Sequence, residues 1–340
     1  MINTDERPRE NAYRAVQLGL HSLEYIINTH EKGLETEPGV VTKNTTHIVY
    51  GPISYNKEGY VTFSDEGIEE GNRHPSVKTV TMAGLIDYVR EYKKIFPWIK
   101  IVVNVPGSDE KEDVKLSDIL DDPKTRETFV ASLADLMKRH FFDGAQIDFS
   151  VGVGFDGVTL TLSEIASKIH DKEIHAVIPL PVSEEATKSA VMLNNVCDHS
   201  ISIPVENEIE LREMMTAYSQ IEAPFGFNKN KFHVHLSTVK VGHKQGVPED
   251  VKSAFILYMM SMKGEPVRYM AKGRRAVITD RCTTTVYPMM TGSVVKRLGD
   301  AMRELDIAGV QYGPVGYDLH CRHACSIIFN VNKFVPLSRV

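Results

Sequence analysis

The residues with the clearest chemical potential lie in one short run near the middle of the chain. Between residues 144 and 150 apolar side chains alternate with polar ones, and the polar row contains Gln146, Asp148 and Ser150. A period of two predicts a β-strand with two different faces. Helical patterns precede and follow the run, so both faces should be covered. The polar row is therefore expected to line an interior site such as the mouth of a barrel.

Asp143 and Gly144 stand immediately before this row. The frame formed by Asp143, Gly144, Gln146, Asp148 and Ser150 resembles the fourth-strand signature of family 18 glycoside hydrolases, the chitinases, which reads Asp-Gly-x-Asp-x-Asp-x-Glu. The resemblance implies an α/β fold, a (β/α)8 TIM barrel. In the family the final Glu donates a proton to the leaving group. Here that position is Ser150.

The resemblance also implies a degenerate catalytic site. Enzymes of this family use the acetamido oxygen of the substrate as nucleophile, so they need only one strong protein acid. Asp148 keeps the position of the Asp that orients the acetamido group. A serine hydroxyl is too basic to donate its proton near neutral pH, and general acid catalysis is worth about 10²- to 10⁴-fold in rate. Val205 and Gly313 stand where the family has a supporting Tyr and the Trp that floors the sugar site.

The leading hypothesis is therefore a catalytically inactive chitinase-like protein that acts by binding another protein or by assembling with copies of itself. In this reading Asp143 and Asp148 are hydrogen-bonded structural carboxylates. One alternative is a weak lectin for N-acetylglucosamine-type glycans. Its candidate binding residues are Tyr50, Asp148, Glu206, Gln311 and Tyr312. A second alternative is an active glycoside hydrolase with a relocated acid, Glu206 or Asp318.

Two further groups of residues are candidates, one for binding a metal and one for facing the cleft. His320, Cys321, His323 and Cys325 are closely spaced, as in zinc sites, but they lack a second paired half at the usual distance. This run is interpreted as the start of the last helix. His233 and His235 share one face of a predicted strand and are interpreted as packing or solvated residues. No metal site and no cofactor are predicted.

Composition excludes some partners. The chain has 340 residues and a formal net charge of -6, with a pI of about 6.1, so it lacks the basic surface expected of a nucleic-acid-binding protein. It contains no apolar run long enough for a membrane span. Its polar N-terminus does not resemble a signal peptide. The protein is thus expected inside the cell if the sequence is taken as it stands, or outside it if a signal has been removed.

The 4 cysteines are too few for a disulfide framework in a chain of this length and are expected to be free thiols.

Strand and helix patterns alternate along most of the chain. A tail with a short helix at 11–21 is predicted for residues 1–22, and a barrel for residues 23–335 that begins with a strand at 23–28. Further strands are predicted at 46–53, 100–105, 145–150, 175–180, 200–203, 232–237 and 308–313. Helices are predicted between them at 82–96, 125–139, 162–170, 184–194, 208–219 and 293–305.

Residues 240–290 interrupt this alternation. They are predicted to form a small α+β insertion between strand 7 and helix 7, with a helix at 251–262 and β-structure at 275–287. The insertion is rich in Met and Tyr, including Tyr258, Met259, Met260, Tyr269 and Tyr287. These residue types suit either the core of the insertion itself or adaptable contacts with another protein. A partner is therefore expected at the insertion or at the carboxyl-terminal face of the barrel, where βα loops carry function.

Overall fold

Eight parallel strands close into a barrel in this computed structural model. The structure describes residues 13–18, 41, 44–63, 82–109, 112–150, 155–221, 226–244, 247–253, 267–272, 275–280, 286–307, 309–315 and 326–335. The barrel strands are β1 (Arg14–Leu18), β2 (His47–Tyr50), β5 (Lys100–Val105), β8 (Gly144–Asp148), β9 (Glu173–Val177), β10 (His199–Pro204), β11 (Phe232–Ser237) and β17 (Gly309–Val315). Their order around the barrel is β1-β17-β11-β10-β9-β8-β5-β2. The predicted (β/α)8 barrel is confirmed.

From β2 onward, described helices separate successive barrel strands, as predicted. The described helices are α1 (Met82–Ile95), α2 (Leu116–Asp121), α3 (Pro123–His140), α4 (Phe155–Lys168), α5 (Glu184–Val196), α6 (Glu208–Gln220), α7 (Gly292–Glu304) and α8 (Ile327–Phe334). Among the described residues, no helix is both long enough and apolar enough to cross a lipid bilayer.

Helix α3 shows how local sequence positions the signature strand. Asp122 caps its first turn by accepting a hydrogen bond from the Thr125 amide, and Pro123 occupies the first helical position. Phe129 and Leu133, on the predicted apolar face, are buried. The helix ends at Phe141, whose φ of 55° is left-handed, and β8 begins three residues later. The cap therefore sets where the strand starts.

The N-terminal prediction is wrong in one element. Residues 14–18, placed in a helix at 11–21, form strand β1, which pairs in parallel with β17 from Arg14↔Val310 to Leu18↔Val315. Arg, Ala, Gln and Leu are good helix formers, but completing the barrel needs a strand here, and tertiary pairing overrides propensity. Because β1 is the first barrel strand, the barrel begins before residue 23. The strand predicted at 23–28 lies outside the described residues.

The described residues of the insertion between the seventh barrel strand and the following helix form a five-stranded antiparallel sheet. Its strands are β12 (Val239–Lys244), β13 (Val247–Ser253), β14 (Val267–Lys272), β15 (Arg275–Asp280) and β16 (Val286–Met289), in the order β13-β12-β16-β15-β14. The helix predicted from 251 is wrong over 251–253, which end β13 because Val251 pairs with Val241 of β12. The rest of that predicted helix, 254–262, lies outside the described residues.

Two short hairpins follow barrel strands. The first joins β3 (Ile53–Tyr55) to β4 (Val61–Phe63), and the second joins β6 (Ser108–Asp109) to β7 (Val114–Lys115). By its internal contacts the chain divides into two compact units. One comprises Met1–Thr45, Pro204–Thr216 and His233–Val340, and the other Thr46–Ile203 and Ala217–Phe232. The signature strand belongs to the second unit.

Gly144, the glycine of the signature, sits where β8 approaches β9. A Cβ on Gly144 would lie 2.5 Å from the carbonyl oxygen of Glu173 and 3.1 Å from its Cβ. The Glu173 backbone is held in the β8–β9 pair and cannot move aside as a flexible side chain can. We predict that Gly144→Ala lowers the free energy of unfolding by about 1 to 3 kcal/mol through overpacking, as measured by urea denaturation.

The matched control is Lys172→Ala, an exposed residue beside Glu173. Surface substitutions of this kind usually change stability by less than about 0.5 kcal/mol. Equal stability of Gly144→Ala and the wild type would show that the two strands have room to separate.

Candidate functional site

Gln146, the first residue of the polar row, is buried. Its side-chain nitrogen donates to Asn104 Oδ1 at 3.3 Å, and its side-chain oxygen has no hydrogen-bond partner among the described atoms. Parallel pairing places Gln146 beside Asn104 on one neighbouring strand and His175 on the other. Register partners share a face of the sheet, so the polar row of β8 continues across β5 and β9.

Asp143, immediately before β8, forms hydrogen bonds with β5 and with α1. One of its carboxylate oxygens accepts hydrogen bonds from the amide of Ile101 at 2.7 Å and from Lys93 Nζ at 2.6 Å. The Asp143 amide in turn donates to the carbonyl of Ile101 at 2.8 Å. These contacts fit the structural role predicted for this carboxylate.

Asp148 ends the strand with a half-buried carboxylate. Its Oδ1 accepts a hydrogen bond from the amide of Ser150 at 2.8 Å, a local turn two residues long. The carboxylate packs against Gly107, where a Cβ would lie 3.3 Å from Asp148 Cγ. The geometry leaves Asp148 able to accept hydrogen bonds from a ligand, and Ser150 offers a hydroxyl rather than an acid.

A cluster of potential metal ligands lies on other barrel strands and was not predicted from the sequence. It gathers four potential metal ligands, His47, Glu173, His175 and His199, whose ligand atoms all lie within 4.8 Å of one another. Glu173 Oε2 lies 3.0 Å from His47 Nε2 and 3.2 Å from His175 Nε2, and Glu173 Oε1 lies 3.9 Å from His199 Nε2. We call these four residues the histidine cluster.

The amino-terminal ends of the barrel strands build this cluster. His47, Glu173 and His199 are the first residues of β2, β9 and β10, and His175 pairs in register with His199. Lys100, the first residue of β5, is the register partner of His47 and forms an ion pair with Glu173. The only sequence signal was a polar residue at the start of several predicted strands. Which strand starts meet depends on barrel closure.

Burial controls the protonation of the cluster. It lowers the pKa of His47 to about 4, and proximity to His175 adds to this, while the Glu173 contact opposes it. Burial also lowers the pKa of His199 to about 2, helped by His175 and His47. For Glu173 burial acts to raise the pKa, but hydrogen bonds with His175 and His47 outweigh it and hold the pKa well below its ordinary range. At neutral pH, His47 and His199 are therefore neutral and Glu173 is ionised.

Comparison with known families identifies the fold. A sequence profile described as glycosyl hydrolases family 18 matches residues 22–203, more than half of the chain. The chain belongs to glycosyl hydrolase family 18. No curated protein sequence gives a significant match.

Solved structures of chitinases resemble the chain along nearly its whole length. The C-terminal domain of a putative chitinase from Desulfitobacterium hafniense has a TM-score of 0.65 at 12% identity, covering 95% of this chain and 99% of that chain. A chitinase from Bacteroides thetaiotaomicron has a TM-score of 0.64 at 14% identity, covering 95% and 96%. The group IV chitinase of Ostrinia furnacalis has a TM-score of 0.65 at 12% identity, covering 95% and 99%. At these identities the likeness concerns the fold alone.

The two other positions aligned with family 18 site residues are packed in this chain. Val205 is buried, and its amide donates to the carbonyl of His235 at 2.9 Å. Gly313 has φ of 137°, and a Cβ there would lie 2.8 Å from Gln17 Cβ and 2.9 Å from the Gln17 carbonyl oxygen. A side chain at residue 313 would therefore need both a strained backbone and movement of β1.

The residues predicted to bind a glycan differ in their accessibility. Tyr50 and Tyr312 are both 0% exposed and Gln311 is 1% exposed. Tyr50 packs edge-on to Phe63 with ring centroids 6.1 Å apart. This burial does not agree with the prediction that these three side chains touch a ligand. Glu206 is half-buried, and its amide donates to Glu210 Oε2 at 2.9 Å, so Glu206 remains a candidate with Asp148.

Other candidates have simpler outcomes. His233 stacks on Tyr13 with ring centroids 3.8 Å apart, which agrees with a packing role. Cys197 is a free thiol, as predicted, and its burial raises its pKa to about 12. Several predicted residues lie outside the described part of the chain: Cys282, Asp318, His320, Cys321, His323 and Cys325.

We predict that the two signature carboxylates contribute unequally to stability. Asp143→Ala strands the Ile101 amide and Lys93, so it should lower the free energy of unfolding by about 1 to 3 kcal/mol. Asp148→Ala removes one local hydrogen bond at a half-buried site and should cost about 0.5 to 1.5 kcal/mol. Chemical denaturation of both variants measures the difference.

Asp135→Ala is the matched control, because Asp135 is an exposed carboxylate in an i,i+4 ion pair with Arg139 on α3. Such pairs contribute less than about 1 kcal/mol. If Asp148→Ala proves more damaging than Asp143→Ala, the roles assigned to the two residues are reversed.

Proposed function

We propose that this chain is a catalytically inactive member of family 18 that acts by binding another protein or by assembling with copies of itself. The observation that carries the proposal is the residue at the proton-donor position, Ser150. Its hydroxyl cannot protonate a leaving oxygen near neutral pH, so the step worth about 10²- to 10⁴-fold in rate has no donor at the family position.

The packing of the other aligned positions supports this proposal. Val205 lacks the hydroxyl that a tyrosine would supply to the acetamido group. Gly313 occupies a backbone position with φ of 137° in contact with Gln17, where an indole ring cannot be accommodated without displacing β1. Recovery of sugar hydrolysis would thus need several coordinated changes. A single restored acid would leave a sugar without aromatic support.

A weak lectin for N-acetylated glycans is the second candidate, and the observation that favours it is the half-buried carboxylate of Asp148. Asp148 keeps the family's orienting position and retains accepting capacity beyond its bond with Ser150. The burial of Tyr50, Gln311 and Tyr312 weakens this candidate. A hydrolase with Glu206 or Asp318 as a relocated acid is the third.

A hydrolysis assay on a chromogenic chitobioside tests the loss of activity. We expect no turnover above the blank in the wild type. Ser150→Glu alone should also be inactive, because Val205 and Gly313 remain. Ser150→Ala serves as the control for folding, and an active family 18 chitinase as the control for the assay. Measurable wild-type turnover, or a large gain in Ser150→Glu, would refute the proposal.

Glycan-array binding on the same preparation separates the first two candidates. Binding to N-acetylated glycans that is lost in Asp148→Asn, with an unchanged melting temperature, would favour the lectin. Asp143→Asn is the matched control, since Asp143 is already engaged by Ile101 and Lys93. Retained binding in both variants would place the glycan away from the family site.

The place where a partner binds can be mapped by hydrogen exchange or cross-linking. We expect protection at the βα loops on the carboxyl-terminal face, or on the insertion sheet that contains Tyr269 and Tyr287. The βα loops can change without disturbing the barrel core, so new contacts arise there most readily. Sedimentation of the protein alone detects self-assembly. A footprint confined to the turn around Pro97 and Trp98 would overturn this placement.

A further inference from the structure

We propose that the histidine cluster, His47, Glu173, His175 and His199, is a binding site for one divalent transition-metal ion of the zinc type. The site lies at the amino-terminal ends of β2, β9 and β10, within one compact unit of the chain. It does not depend on the proposed function, which concerns the opposite ends of the strands.

The distances suit coordination after small movements. Around zinc, ligand bonds of about 2.0 to 2.2 Å put tetrahedral ligand atoms about 3.3 Å apart. The ligand atoms of the cluster are 3.0, 3.2 and 3.9 Å apart in the three carboxylate–imidazole pairs, and none of the separations exceeds 4.8 Å. His199 and Glu173, the two partly exposed ligands, are the side chains whose rotamers would adjust when an ion binds.

The donor types select the class of metal. Three imidazole nitrogens and one carboxylate oxygen are typical ligands for Zn²⁺, and they also suit Ni²⁺ and Cu²⁺. Ca²⁺ and Mg²⁺ prefer a shell of oxygen ligands, which this cluster does not supply. Four protein ligands fill a tetrahedron, so the geometry corresponds to a structural site rather than a catalytic one with an open position.

The surroundings orient the ligands. The Thr46 hydroxyl lies 2.8 Å from Nδ1 of His47, the ring nitrogen that faces away from the cluster. When Nε2 binds a metal, Nδ1 carries the proton, and the Thr46 oxygen can accept it. Such an outer hydrogen bond fixes the ring orientation and tautomer of metal-binding histidines. Thr46 is therefore the positioning residue of the proposed site.

Access and charge are also compatible with an ion. The side chains of Glu173 and His199 are 20% and 23% exposed, so the cluster reaches solvent on one side. Lys100 pairs with Glu173 Oε1, but its side chain is 48% exposed and can turn into solvent when the ion arrives. The Glu173 carboxylate would then exchange its ion pair with Lys100 for a bond to the metal, and its negative charge would offset part of the charge of the metal.

The barrel order explains what the ion would do. Two strands, β5 and β8, separate the strand of His47 from β9, the nearest strand that carries another ligand. Of the three strands that carry ligands, β9 and β10 pair with each other, but β2 pairs with neither. One bound ion would therefore cross-link β2 to the β9–β10 pair. The amino-terminal face of such barrels mainly serves stability. The expected effect is a more stable barrel.

Isothermal titration of the full-length, tag-free, chelator-treated protein with ZnCl₂ tests the site. We expect one Zn²⁺ per chain, a raised unfolding temperature, and visible Co²⁺ absorption bands of the intensity that marks tetrahedral coordination. His47→Ala and Glu173→Gln should each weaken Zn²⁺ binding by more than about 100-fold, and Thr46→Val by about 10- to 100-fold.

His170→Ala is the control, because His170 is an exposed histidine outside the cluster. It should bind Zn²⁺ as the wild type does. The wild type is decisive even if a cluster variant fails to fold. Absence of stoichiometric binding of Zn²⁺, Co²⁺ and Ni²⁺ by the wild type would overturn the proposal and leave a hydrogen-bonded network. Equal loss of binding in His170→Ala and His47→Ala would also overturn it.

Discussion

The partly buried carboxylate of Glu173 sets the main constraint on the amino-terminal ends of these strands. A carboxylate that loses hydration must be compensated by donors and positive charge, or it destabilises the fold. His47, His175 and Lys100 provide this compensation, and the resulting pKa of Glu173 lies well below its ordinary range. These partners come from β2, β9 and β5. The pairing therefore links strands through side chains as well as through their backbone ladders.

Gly144 connects that network to the family signature. The missing Cβ lets β8 approach the backbone of Glu173, to which a methyl group would come within 2.5 Å. In this chain the signature glycine thus has a packing reason that is independent of catalysis. The neighbouring Asp143 also has a structural role, since its carboxylate accepts hydrogen bonds from the Ile101 amide and from Lys93 Nζ. The packing roles of Asp143 and Gly144 therefore hold whatever the chemistry at Ser150.

The two ends of the barrel strands differ in how strongly packing constrains their polar residues. At the carboxyl end of β8, Asp148 and Ser150 stand where loops can vary with little effect on the core. At the amino-terminal end, the four residues of the histidine cluster are packed together, with His47 and His175 buried. A substitution there would leave a buried partner uncompensated. The amino-terminal end of the barrel is therefore constrained by packing and charge, whatever chemistry the carboxyl-terminal end supports.

The sequence by itself determined the fold class, the family and the position of the signature. Periodicity located helices such as Met82–Ile95 and strands such as Lys100–Val105, because these patterns are local. Tertiary structure alone decided that residues 14–18 form a strand, since pairing with β17 overrides helical propensity. It also decided that Tyr50 and Tyr312 are buried. His47 meets Glu173 across 126 residues of chain only because barrel closure brings their strands together, and no local pattern records that meeting.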